Sequence, residues 1–407
     1  MSRSFQVLLW GATGFTGKLV AEYLCRTYPN LRWAIGGRNQ QKLEQVRRQL
    51  TAIDPKMKDL PVVYADSFDL DSLLAMCKQA DVICSTVGPY SRLGTPLVRA
   101  CVQTNTDYCD LTGEAPWIRS IIDEFHDEAA SRKVKIVHCC GFDSIPFDLG
   151  VWMIQQELKR QGIGPASEIR CYVTRLKGGI SGGTIASMGE VLEQMRQPEK
   201  RRLSANPYSL NPTDKLSGPD QGDQLYSKWD GIANMWTAPF IMAGINTRIV
   251  RRTNALLDNS YGANFCYSEV MGYRSGFRGW FRAKMMTVGF LCMGALMFLR
   301  LSRKILLRLF LPSPGQGPSE EKMKNGRFKA MFCAIHGTDK SWWEVSFDGD
   351  PGYSQTAIML AESALALGLD RSNLSGQYGV ITPSVGLGDV LLSRLRARGM
   401  IFRTVAR

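Results

Sequence analysis

Gly11-Ala12-Thr13-Gly14-Phe15-Thr16-Gly17 follows directly on the apolar run Phe5–Trp10 and opens an amphipathic stretch, Gly17–Tyr28. Strand, glycine turn and helix in that order leave backbone N–H groups and the positive end of a helix dipole free to meet an anion. Gly11 permits the tight turn, Gly14 lets a diphosphate approach the backbone, and Gly17 lets the helix close on the sheet. Thr13, Phe15 and Thr16 complete the turn. The stretch reads as a dinucleotide site at the head of an α/β domain.

Around this turn the chain keeps an alternating rhythm. Arg32–Gly36 reads as a second strand, and Gln40–Leu50 as a charged helix with Asn39 placed to cap it. Val62–Ala65, Val82–Val87 and Val134–Cys139 supply further short apolar runs, each after a helical stretch. Such units predict an N-terminal Rossmann-like, doubly wound parallel sheet over residues 1–150.

The end of the second strand selects the dinucleotide. A carboxylate there would accept from a ribose 2′-hydroxyl, but the chain has Gly36-Gly37-Arg38-Asn39. Arg38 suits a 2′-phosphate, hence NADP; the competing reading is a solvated arginine opening a helix. Asp66, after the third strand, fits either the adenine amino group or a helix cap. Val87, Gly88 and Pro89 end the fourth strand, where the nicotinamide half of a cofactor would pass.

Two later segments put polar residues at strand ends: 108–114 (YCDLTGE) and 140–148 (CGFDSIPFD). Tyr90, Tyr108, Asp110 and Asp143 are therefore the titratable candidates for the proton that accompanies a hydride. For Asp110 and Asp143 a capping or turn role competes. The three histidines, His126, His138 and His336, offer no catalytic pairing, and His138 sits in an apolar strand as a packed residue would. A Ser-His-Asp hydrolase is thereby disfavoured.

From about residue 151 the rhythm changes, predicting a second α+β domain over 151–377. Its elements are a helix at Asp148–Arg160, a strand at Glu168–Leu176, a glycine-rich stretch at 178–183 and an extended loop or lid over 197–240. An antiparallel pair, Arg327–Ile335 and Trp342–Phe347, and a helix at Ser354–Leu367 follow. Residues 378–407 read as a C-terminal helix (Asp389–Arg398) and strand (Met400–Val405), with a return to the first domain open.

The 407 residues are 44% hydrophobic and 21% charged, which excludes a disordered or collagen-like chain. Eleven cysteines show neither a CxxC pair nor zinc spacing, and Cys84 and Cys333 lie in apolar runs. They read as reduced buried thiols of a cytoplasmic protein, with no metal site. Met1–Ser4 runs straight into a strand, so no signal peptide is expected.

Taken together, GATGFTG (11–17), GGR (36–38), VGPY (87–90), YCDLTGE (108–114), CGFDSIPFD (140–148), SGGT (181–184) and GVITPSVGLGD (379–389) resemble the saccharopine dehydrogenase-like oxidoreductases. The resemblance spans essentially the whole chain. It is strongest to the branch holding the bacterial trans-acting enoyl reductases of lipid and polyketide synthesis and the animal saccharopine dehydrogenase-like proteins. It implies a Rossmann domain, a second domain over the cofactor cleft and NADP-linked reduction. The expected substrate is an enoyl or carbonyl group on a hydrophobic acyl chain. A small amino-acid derivative, or a non-catalytic lipid-surface role, is the alternative. The lysine-pathway enzymes place a proline-glycine pair after the aspartate, where this chain has Ser144-Ile145-Pro146; that departure speaks against saccharopine itself.

Net charge is +13, and residues 270–319 carry no acid but eight cations: Arg274, Arg278, Arg282, Lys284, Arg300, Arg303, Lys304 and Arg308. The uncharged run Met285–Leu299 would make a helix of about 22 Å, short of a bilayer's roughly 30 Å hydrocarbon core. With Trp280, Phe281 and Phe298, the basic hydrophobic segment at about 275–312 suggests peripheral membrane contact through 280–310; a core helix with solvated ends is the rival reading. No nucleic-acid motif is present. Self-association is left open.

Overall fold

The computed structural model describes residues 3–178, 193, 195–220, 222–298, 302 and 317–406. Its first part alternates β1 (Phe5–Trp10), α1 (Phe15–Thr27), β2 (Trp33–Gly37), α2 (Gln40–Ile53), β3 (Val62–Tyr64) and α3 (Leu70–Cys77). It continues through β4 (Ala80–Ser85), α4 (Tyr90–Gln103), β5 (Asp107–Asp110), α5 (Ala115–Ser131), β6 (Lys135–Val137) and α6 (Ile145–Arg160). Local chemistry sets several boundaries. Asn39 Oδ1 accepts from Lys42 N at 2.9 Å and starts α2. Asp69 accepts from Asp71 N and Ser72 N and starts α3.

Beyond α6 come β7 (Glu168–Lys177), α7 (Pro198–Ala205), β8 (Lys228–Asp230), β9 (Met235–Pro239), α8 (Ala243–Leu256), β10 (Cys266–Arg274) and α9 (Phe277–Phe298). The rest is α10 (Glu320–Lys324), β11 (Arg327–His336), β12 (Asp339–Asp348), α11 (Thr356–Leu369), β13 (Gly379–Ile381), α12 (Pro383–Ala397) and β14 (Ile401–Val405).

Two seven-stranded sheets result. The first runs β13-β6-β5-β4-β1-β2-β3 and is wholly parallel. Helices cover both faces, so β1 is a continuous apolar run, not an alternating one. The chain starts at the middle with β1, moves out to β3 and returns beside β1 as β4. The resulting crevice at the strand C-termini is where doubly wound sheets bind ligands. The second sheet runs β14-β12-β11-β7-β10-β9-β8, antiparallel except for the β7–β10 pair. A continuous core joins the two, from Val7 through Phe147 to Phe402. Phe142, Phe147, Phe328 and Phe347 interlock there at ring separations of 4.9–6.1 Å.

Some expectations change. Residues 197–240 are no free lid: α7, β8 and β9 lie within them, and the irregular turns between are tied down by side chains from elsewhere. Arg119 donates to the carbonyls of Ser209 and Asn211, Arg252 donates to Leu210 O, and Arg251 pairs with Asp220 at 2.6 Å. The C-terminal stretch divides. Gly379–Ile381 adds a strand to the first sheet beside β6, whereas Ile401–Val405 adds one to the second beside β12. Already α11 lies over β1, β4 and β5, ahead of the boundary expected at 377. The glycine-rich residues 179–183, with the SGGT stretch, and the cations Arg300, Arg303, Lys304 and Arg308 lie outside the described residues. No helix among the described residues is long and apolar enough to cross a membrane.

Candidate active site

The glycine turn sits at the C-terminal end of β1, in the crevice. Gly11 has φ +91°, and a side chain there would meet Val87 Cγ2 at 2.6 Å and Thr86 Oγ1 at 2.7 Å. On Gly17 a Cβ would lie 2.2 Å from the Gly11 carbonyl oxygen, so only glycine lets α1 close on the turn. Thr86, which the motif reading passed over, holds the turn to β4 by donating its hydroxyl to Gly11 O at 3.1 Å. The start of α1 is open: Gly14 caps it without a side-chain hydrogen bond, and its first turn holds no acid. Thr13 and Thr16 are half-buried, while the Phe15 ring stands edge-on to Tyr353 at 4.8 Å, so the second half of the chain borders the turn.

Arg38 is exposed at the end of β2 and has no hydrogen bond or ion pair among the described residues. Asp66 closes a local turn, accepting from Phe68 N at 2.9 Å, while the α3 cap belongs to Asp69. Its other carboxylate oxygen stays without a partner among the described residues, so the adenine contact stands as its candidate role. Val87, Gly88 and Pro89 lie between the turn and α4. An open helix start, a turn that admits no side chain at Gly11 or Gly17 and a free guanidinium at the ribose end fit a phosphorylated dinucleotide. Its diphosphate would rest on the 14–17 backbone, with Arg38 at the 2′-phosphate.

Three of the four acid–base candidates are buried and hydrogen-bonded within the protein. Tyr90 is buried, its hydroxyl donated to Ser85 O at 3.2 Å and its ring stacked on Trp117 at 5.5 Å. Tyr108 is buried and donates to Asp110 Oδ2 at 2.9 Å. Burial pushes both phenols well above their usual range. Asp110 has no exposed surface and is saturated. Its Oδ1 accepts from Thr112 N and Cys139 N, and its Oδ2 from Tyr108 and from His138 Nδ1 at 2.8 Å. These groups lie buried around the ends of β4 and β5. His138 is buried, as a packed residue should be, and stands edge-on to Trp117.

Asp143 differs. It sits in the β6–α6 turn, half-buried, without a hydrogen bond or charged partner among the described residues. Its Oδ2 points toward Gly113, 3.8 Å from where a Cβ on that glycine would stand. Desolvation by the surrounding protein pushes its carboxyl up to about 7. A group that exchanges a proton near neutrality, with both oxygens unclaimed, is suited to general acid–base work. The neighbouring thiols of Cys139 and Cys140 are pushed well up by burial and stay neutral.

Glu114 was legible only as part of its motif. Its carboxylate is buried and accepts from Tyr90 N at 2.9 Å and Ser91 N at 3.0 Å, closing the start of α4. The signal was an acid flanking a strand end, but its partners lie more than twenty residues away in sequence. Among the described residues no group of three His, Cys, Asp or Glu side chains is placed to hold a metal ion.

Comparison with known proteins sets these features in context. Residues 7–137 match the family described as the saccharopine dehydrogenase NADP binding domain. A Mycobacterium tuberculosis protein, provisionally named a trans-acting enoyl reductase, is 42% identical over 99% of this chain and 98% of its own. The trans-acting enoyl reductase of Mycobacterium ulcerans is 38% identical over 98% of this chain and 97% of its own. In fold, the chain is similar to apo saccharopine dehydrogenase (L-Glu forming) from Saccharomyces cerevisiae. The TM-score is 0.51 at 14% identity, covering 98% of this chain and 99% of that one.

Proposed function

We propose that this chain, which belongs to the saccharopine dehydrogenase-like family of NADP-binding oxidoreductases, reduces an enoyl or carbonyl group of a hydrophobic acyl-type substrate. When bound, NADPH supplies the hydride. The chain's own part is to hold the dinucleotide at the glycine turn and deliver the balancing proton. Asp143 is the group assigned to that last task. In its acid form it donates to the carbon next to the thioester carbonyl, or to a carbonyl oxygen, and is left as carboxylate. Solvent then reprotonates it.

The observation that carries this reading is the unpartnered Asp143 carboxyl in the turn after β6, at the same C-terminal edge of the first sheet as the glycine turn. Two others favour a hydrophobic substrate over a small zwitterion. The strand-end segments 86–91, 110–116 and 138–146 contain no Lys or Arg to pair with an amino-acid carboxylate. Phe142, next to Asp143, belongs to the interlocked aromatic cluster. The relatives named enoyl reductases point the same way.

The test is NADPH fluorescence decay with short and long α,β-unsaturated acyl thioesters, long-chain ketones and saccharopine-type amino-acid derivatives. Decay with the acyl substrates, faster for longer chains, is expected. Decay confined to the amino-acid derivatives would move the assignment to that class. Cofactor binding without turnover on any substrate would make the protein a non-catalytic member of its family.

A further inference from the structure

Helix α9 inverts the usual surface pattern. Its inward side is Gly279, Ala283, Thr287 and Met297, mostly small residues. At 3.6 residues per turn the side facing away is Phe277, Phe281, Met285, Val288, Cys292 and Leu296, and every one of these is exposed. Phe277 is 75% exposed and stacks on Trp280 at 5.5 Å and on Phe281 at 6.5 Å, forming an aromatic platform on the first turns. The start of the helix fits closely on the end of β10, where a Cβ on Gly279 would overlap the Arg274 carbonyl oxygen at 1.7 Å, and the helix packs against β9 and β10. Arg274, Arg278, Arg282 and Lys284 are exposed around this platform, and none has an ion-pair partner among the described residues.

An outward apolar stripe of this length is not a neutral feature of a folded protein. We propose that α9 lies flat on an anionic phospholipid surface, its stripe entering the acyl boundary and its four cations meeting the headgroups. The charge chooses the occupant: no acid lies among residues 270–298, so the patch is complementary to negative lipid. A second copy of the chain fits less well, because a two-fold contact centred on the stripe brings like cationic flanks onto one patch. A span is not offered, since α9 falls short of the apolar length a crossing needs. This inference goes beyond the reductase reading, and its readout is vesicle binding, not turnover.

The experiment is sedimentation of the full chain with phosphatidylcholine vesicles, with and without phosphatidylserine, at low and high salt. We expect binding at least roughly tenfold tighter with phosphatidylserine, weakening as salt rises. The double variant Phe281→Glu/Met285→Glu should lose vesicle binding on both lipids. The triple variant Arg278→Gln/Arg282→Gln/Lys284→Gln should lose only the phosphatidylserine preference. Both alter exposed positions, and retained NADPH binding checks that each is folded. Equal binding to both vesicle types, no binding, or binding untouched by either variant would overturn the proposal. So would a wild-type dimer in ultracentrifugation that the double variant dissolves while vesicles are ignored.

Discussion

Helices α1 and α4 begin at the same edge of the first sheet, after the neighbouring strands β1 and β4, and are finished in opposite ways. The start of α4 is filled by the Glu114 carboxylate, which accepts from Tyr90 N and Ser91 N. The start of α1 has no side-chain acceptor and no acid in its first turn. Two aspartates repeat the contrast one strand further on. Asp110 has every acceptor position claimed, whereas Asp143 has none claimed by the described residues. Free N–H groups and buried carboxylates are costly unless matched, so the filled places are structure. The unfilled ones are where a ligand completes the set.

The sharpest way to break this comparison is to empty a filled place. Asp110→Ala orphans the Tyr108 hydroxyl, the His138 Nδ1–H and two backbone N–H groups, and should cost about 3–5 kcal/mol of stability. Thermal and denaturant unfolding measure it. A variant as stable as the wild type would show that this carboxylate is not structural.

Asp143→Asn should do the reverse, leaving the fold intact and lowering kcat by roughly 10²–10⁴-fold with NADPH affinity unchanged. Because the acid form donates, wild-type kcat should fall as pH rises through about 7. The variant should lose that slope. Stability adds a check of sign. The carboxyl's folded value lies above its ordinary 3.8, so the folded state holds the proton more tightly. Its favourable contribution is full below about 3.8 and is lost as pH rises from there to about 7. The variant's Tm should therefore gain on the wild type across that window. A Tm difference that stays constant with pH would refute the assignment.

Much of the site could be read before the fold because its determinants are local. The spacing of Gly11, Gly14 and Gly17, the Asn39 cap and the absence of an acid after β2 all act within a few residues. What could not be read depends on partners distant in the chain. Glu114 meets the start of α4, His138 meets Asp110, and Arg119, Arg251 and Arg252 pin the 206–220 turns that composition suggested were loose. The apolar run of α9 was visible, but the direction it faces was not. Periodicity finds an apolar stripe without saying whether the core or the solvent receives it.

Calorimetric titration decides whether the open start of α1 and the free Arg38 hold NADP. NADPH should bind the wild type far more tightly than NADH. Arg38→Ala should weaken NADPH by roughly 10–100-fold, the worth of hydrogen bonds to a charged group, and leave NADH almost unchanged. Equal affinities for the two nucleotides, or no heat from either, would mean that these groups do not select NADP.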